Sequence, residues 1–167
     1  PTPPPTSLNF TRLGLPDEVD VDEYRDIVVM PDSAQKLWIG TGNGIFQYDV
    51  VTREVTTTLL AKQDALPGLL SVDVKDLAFD KAGNLWVATV KGVNRLRLAE
   101  RQAGRNLVVD AFTTIDVIRE LNAASSAGQL YDPARALAPL PSPKVLALVY
   151  DAGRDVLHLA TDAGLAS

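Results

Sequence analysis

The chain has no cysteine, which excludes disulfides and thiolate zinc centres, although it does not fix the compartment. It has no basic excess: the formal net charge is −5, which argues against a nucleic-acid-binding surface with its usual basic patch. No apolar run approaches the roughly 18 residues of a membrane span. The beginning, "PTPPPTS", lacks both the basic-then-apolar pattern of a secretory leader and an initiator Met. Residues 1–7 read as a stiff Pro-rich linker or a processed end, and the chain is expected not to be a complete gene product. Histidine is nearly absent too, with His158 standing alone.

What is present is repetition. "KLWIGTGNGIFQY", "NLWVATVKGVNRL" and "VLHLATDAGLAS" share an apolar strand, a Thr, two variable residues, a Gly and a second apolar run. The Thr-x-x-Gly steps fall at Thr41–Gly44, Thr89–Gly92 and Thr161–Gly164. Upstream of each lies another short strand, "DIVVMPD" (26–32), "KDLAFD" (75–80) and "KVLALVYD" (144–151). Before that comes Leu-Pro, at Leu15-Pro16, Leu66-Pro67 and Leu140-Pro141. The period is 48 residues from Trp38 to Trp86 and 72 from Trp86 to His158.

Inside one unit the physics reads as antiparallel β. Large and β-branched residues fill the runs. The turns "PDSAQK", "DKAGN" and "DAGRD" are rich in residues that bond their own backbone or admit positive φ. A third strand follows each hairpin at 45–50 and 93–98, and a fourth at 54–60 and 107–114. Four antiparallel strands in about 48 residues describe a propeller blade.

These motifs resemble the bacterial two-component-regulator propeller repeat, with the first copy, "GLP" and "KLWIGTGNGIFQYD", nearest its pattern. The second departs at Ala88 and lacks the closing Asp, and in the third His158 replaces the Trp. The resemblance implies a periplasmic or extracellular location and a role in ligand sensing or protein contact rather than chemistry.

The fold class expected is all-β: a partial β-propeller of about three four-stranded antiparallel blades. Residues 8–16 read as a stray outer strand and lead-in, 17–60 as blade 1, 61–114 as blade 2 and 141–167 as an incomplete blade 3. Between blades 2 and 3, residues 115–140 read as an insertion with a short helix in "IDVIRELNAAS" and another in "DPARALA" (132–138). It is either a binding element on a propeller face or a packing lid.

Rings close with roughly four to eight blades. The expected partners are therefore remaining blades on the same or a companion chain, or a second copy completing a six-blade ring through residues 8–12. A small-molecule or glycan ligand is expected at the propeller mouth. Asn43, Lys91 and Asp162, read as equivalent hairpin positions, are the rim candidates.

No catalytic residue, metal site or cofactor is expected. The acidic run 16–26 fails the EF-hand order and reads as a strand with a solvated acidic face that includes Asp26. "GTGNG" (40–44) reads as a hairpin, because Ile45 stands where a dinucleotide loop needs Gly. His158 takes the slot of Trp38 and Trp86, which assigns it to packing. Two alternatives to a sensing module remain: a structural domain of a secreted or surface assembly, and part of a propeller lyase resembling the streptogramin lyases, with its catalytic residues elsewhere.

Overall fold

The structure, a computed structural model, describes residues 24–31, 33–59, 68–99, 107–124 and 140–167. The expectations for residues 1–23, which hold Leu15-Pro16 and the acidic run up to Glu23, for Leu66-Pro67 and for the helix at 132–138 lie outside these residues. Three antiparallel sheets appear. The first orders β1 (Tyr24–Met30), β2 (Ser33–Thr41), β3 (Gly44–Asp49) and β4 (Glu54–Leu59) as simple neighbours. The second repeats this with β5 (Val74–Phe79), β6 (Leu85–Thr89), β7 (Gly92–Arg97) and β8 (Val108–Phe112). The third holds β9 (Val145–Asp151), β10 (Val156–Thr161) and β11 (Gly164–Ala166). One described helix, α1 (Ile115–Ala124), lies between the second and third sheets in the chain.

The sheets stand side by side as blades 1, 2 and 3. Their first strands β1, β5 and β9 lie innermost and touch in series, β1 on β5 and β5 on β9. Each blade has a back, toward the preceding blade, and a front, toward the following one. Alternation along the strands supplies both faces with apolar residues. Between blades 1 and 2, Trp38 and Ile45 on the front of blade 1 meet Val74, Leu77, Leu85 and Val87 on the back of blade 2. Between blades 2 and 3, Ala88, Val93, Ala78 and Trp86 meet Val145, Leu148 and Leu159. The core is thus laid down as slabs between sheets, which is how a propeller buries apolar area.

Close approach at the joints depends on small residues. A Cβ on Gly40 would lie 2.8 Å from Cγ1 of Val74. In the next joint the matching residue is Ala88, fully buried in one cluster with Val145. The inner strands also bulge in register: pairing shifts between Tyr24 and Asp26 in β1, and between Val74 and Asp76 in β5. A bulge re-aims the next side chain. Here it sends Asp26 and Asp76 across to the neighbouring blade.

Two sequence expectations are corrected. Asp26 does not belong to a solvated acidic face: its Oδ2 accepts from the Leu77 backbone N–H at 2.9 Å, across the first joint. His158 is not a core residue. It does take the Trp slot, but that slot looks forward, and among the described residues nothing covers the front of blade 3, so His158 is exposed. Trp38 is buried at 2% exposure in the first joint and Trp86 is half-buried in the second.

Candidate functional site: the hairpin end of the blades

The three Thr-x-x-Gly steps form tight β-hairpins at one end of the blades, beside the start of each inner strand: Tyr24 pairs with Thr41, Val74 with Thr89 and Val145 with Thr161. The Thr hydroxyl explains the motif. Thr41 Oγ1 donates to the Gly44 carbonyl at 2.9 Å, Thr89 to Gly92 at 2.9 Å and Thr161 to Gly164 at 2.8 Å. Each hydroxyl also accepts a backbone N–H, from Asn43, Lys91 and Ala163 respectively. The closing Gly has φ of 115°, 130° and 123° in turn, a range that disfavours any side chain.

This bonding pattern places Ala163, not Asp162, at the position equivalent to Asn43 and Lys91. Asp162 sits one residue earlier, is exposed, and its N–H donates to the Lys144 carbonyl at 3.3 Å. Asn43 is half-buried on the hairpin of blade 1. Lys91 is half-buried, and its Nζ lies 2.7 Å from Glu120 Oε1. The three candidates share one end of the molecule but stand on separate blades.

Glu120 belongs to α1, so the insertion leans on the blade-2 hairpin. Thr113 Oγ1 donates to the Lys91 carbonyl just before the helix begins, and Ile118 N donates to the Thr114 carbonyl at 3.3 Å. The helix buries Val117 and Ile118, and Ile118 meets Leu70 with Ala111 and Leu121 alongside. Asp116, Arg119, Glu120 and Ala123 face solvent. Buried Asn94 fastens the same corner: its Oδ1 accepts from Leu70 N at 2.8 Å and its Nδ2 donates to the Asp110 carbonyl at 3.3 Å. Nothing in the sequence pattern singled out Asn94; a polar residue on an otherwise apolar strand face was the available signal.

The inner strands carry a carboxyl whose pKa is raised. Asp76 is held above the ordinary carboxylate range, first by burial and further by the adjacent Asp26, against the lowering effect of N–H bonds from Leu148 and Leu77. Asp26 Oδ2 and Asp76 Oδ1 both accept from Leu77 N, at 2.9 and 3.0 Å, which sets the two carboxyls side by side. On the front of blade 2, burial raises Asp110, but the Arg95 and Arg97 guanidiniums outweigh it and lower its pKa. Arg95 also lies over the Trp86 ring, 5.3 Å from its centroid.

At the opposite end, the "DKAGN" turn is closed by Asp80. Its carboxylate accepts from Ala82 N, Asn84 N, Asn84 Nδ2 and Trp86 Nε1, all between 2.8 and 3.0 Å. Those donors occupy the oxygens a cation would need. Lys81 reaches the next blade's turn and pairs with Asp155, lowering the Asp155 pKa. Among the described residues no cluster of His, Asp or Glu is arranged to hold a metal ion, and no helix is long and apolar enough to cross a membrane.

A groove of about 440 Å³ runs along the front of blade 3 between Val149, His158, Ala160 and Leu165. It occupies the place where blades 1 and 2 each receive a neighbour. It is therefore an open joint and not a ligand pocket in the usual sense.

The comparisons agree with this geometry. Residues 68–91 match the family model described as two component regulator propeller. That stretch is the second copy, in which Asp80 accepts from Trp86 Nε1 and the Thr89 hydroxyl accepts from Lys91 N. Among curated proteins, none matches the chain. In fold it is similar to the extracellular domain of BT3049 of B. thetaiotaomicron, described as a hybrid two component system, at 20% identity and a TM-score of 0.57. That likeness covers 93% of this chain and 17% of that one. It is also similar to the extracellular domain of BT4673 of B. thetaiotaomicron, at 17% identity and a TM-score of 0.55, covering 92% of this chain and 16% of that one. The chain thus spans about a sixth of the length of these relatives. They share the partial-propeller architecture.

Proposed function

We propose that the chain is a segment of a non-catalytic sensor propeller, exported from a bacterial cytoplasm, which recognises a small molecule, glycan or protein at the hairpin end of its blades. One observation carries this reading: three hairpins held rigid by buried Thr hydroxyls project variable residues at one end, with α1 braced beside them. Rigid scaffolds with variable connecting segments suit recognition. The extracellular domains of hybrid two component systems that are similar in fold support the exported, sensing role. The blades that would complete a ring belong either to the same polypeptide or to another chain.

The sole histidine lies on the front of blade 3, away from the hairpin end, which favours recognition over lyase chemistry. Amide chemical-shift mapping of the ¹⁵N-labelled protein against a panel of oligosaccharides tests the reading. Shifts are expected at Asn43, Lys91, Asp162 and the exposed face of α1. Shifts confined to the opposite turns at Asp80 and Asp155, or turnover of any sugar, would overturn it.

A further inference from the structure

The two joints inside the chain follow one rule. The front of each donor blade offers a small residue and a carboxylate, Gly40 with Asp26 and Ala88 with Asp76. The back of each receiving blade offers a Val and a backbone N–H, Val74 with Leu77 and Val145 with Leu148. The N–H bonds are 2.9 Å from Leu77 to Asp26 and 2.8 Å from Leu148 to Asp76.

The two open flanks do not match each other by that rule. On the front of blade 3 the small residue is Ala160, paired with Ala147 where blades 1 and 2 have aspartate. Among the described residues no carboxylate occupies that slot. On the back of blade 1, Tyr24 stands where the internal joints have Val, and the Ile27 N–H turns to its own Asp26 Oδ1 at 2.8 Å. That back is exposed along the inner strand: Tyr24 at 54%, Ile27 at 53% and Val29 at 55%. The slots equivalent to Ile27, at Leu77 and Leu148, are buried.

We infer that the back of blade 1 is a docking surface for a propeller blade whose inner strand presents an aspartate to Ile27 N–H, and that blade 3 of a second copy is not its occupant. The continuity of joint geometry through blades 1, 2 and 3 supplies the chemistry of the partner: a carboxylate after an inner-strand bulge, with room beside it for Tyr24. Blade 3 of another copy would bring Ala147 to the N–H and Ala160 to a tyrosine ring in place of a valine. This concerns the joints and not the rim, so its failure leaves the ligand reading untouched.

Sedimentation equilibrium on the whole 167-residue chain tests it. The wild type is expected not to associate head to tail. Ala147→Asp restores the carboxylate, and Tyr24→Val with Ala147→Asp restores both halves of the rule. The double variant is expected to associate about tenfold more tightly than the wild type, in line with a gained charge-assisted hydrogen bond and relieved crowding. Adding Ile27→Glu is expected to abolish that gain. A wild type that assembles through a contact broken by Ile27→Glu, or a double variant no tighter than the wild type, would overturn the inference. Ala147 is exposed, so the single variant remains a readable control if Tyr24→Val perturbs the sheet.

Discussion

Asp26 and Leu77 are 51 residues apart in sequence, yet the Asp26 carboxylate accepts the Leu77 N–H at 2.9 Å across a blade joint. Asp76 repeats the contact with Leu148 at 2.8 Å. The apolar slabs supply most of the driving force between sheets, but they are non-directional. These bonds fix how far one inner strand slides along the next.

Replacing Asp76 should therefore loosen both joints. Asp76→Ala leaves the Leu148 N–H without its acceptor in a half-buried place, at a cost of about 1–3 kcal/mol in urea unfolding. The pH dependence has a definite sign. Burial raises the Asp76 pKa, so the folded protein holds this proton more tightly than the unfolded chain. The associated stability is complete below the ordinary Asp value of about 3.9 and is lost as pH rises through the raised folded value. Urea titrations from acid to neutral pH should show wild-type stability falling relative to Asp76→Asn as pH increases. A flat or rising difference would contradict the assignment.

The turn of blade 2 gives a sharper test, because one carboxylate there serves four N–H donors. Asp80→Ala should cost about 1–3 kcal/mol and shift Trp86 emission, since the indole loses its acceptor. Asp155→Ala touches only exposed contacts, an ion pair with Lys81 and a bond from the Tyr150 hydroxyl, and should cost markedly less than Asp80→Ala. Equal losses for the two variants would mean that the turn is not organised by Asp80.

The strands and hairpins were legible because they depend on local chemistry: alternating apolar residues, turn formers and a Thr-x-x-Gly step whose bonds close within four residues. The joints were not. Nothing within "YRDIVV" says that Asp26 answers to a backbone group 51 residues later. The exposure of His158 was hidden for a related reason: a slot inherited from Trp is buried only where a following blade covers it. Asp162 looked equivalent to Lys91 because both precede the hairpin Gly by a short step, but only the Thr hydroxyl bond reveals that Ala163 holds the place.

Two glycines with similar backbone angles separate strain from crowding. Gly92 has φ of 130°, and a Cβ there would lie 2.5 Å from the Phe112 carbonyl oxygen. Gly164 has φ of 123° with nothing within 4 Å of the added atom. Gly164→Ala should lose only the left-handed preference, about 1 kcal/mol. Gly92→Ala should lose that and displace the backbone between β7 and β8, so its midpoint in thermal unfolding should fall well below that of Gly164→Ala. Equal midpoints would show that β8 gives way freely.

The docking of α1 can be divided in the same manner. Ile118 is 1% exposed against Leu70, whereas Glu120 meets Lys91 at the surface. Exposed ion pairs contribute about 0–1 kcal/mol, and a buried Ile cut to Ala costs about 2–5 kcal/mol. Glu120→Gln should leave the helix in place, with hydrogen-exchange protection of α1 nearly unchanged. Ile118→Ala should strip protection from α1 and from Leu70 N, whose acceptor Asn94 sits in the same corner. The blade-2 hairpin would keep its Thr89 bonds in both variants, because they close within the hairpin itself. If Glu120→Gln released the helix as readily as Ile118→Ala, the insertion would be held by charge, and salt alone should free it from the hairpin end.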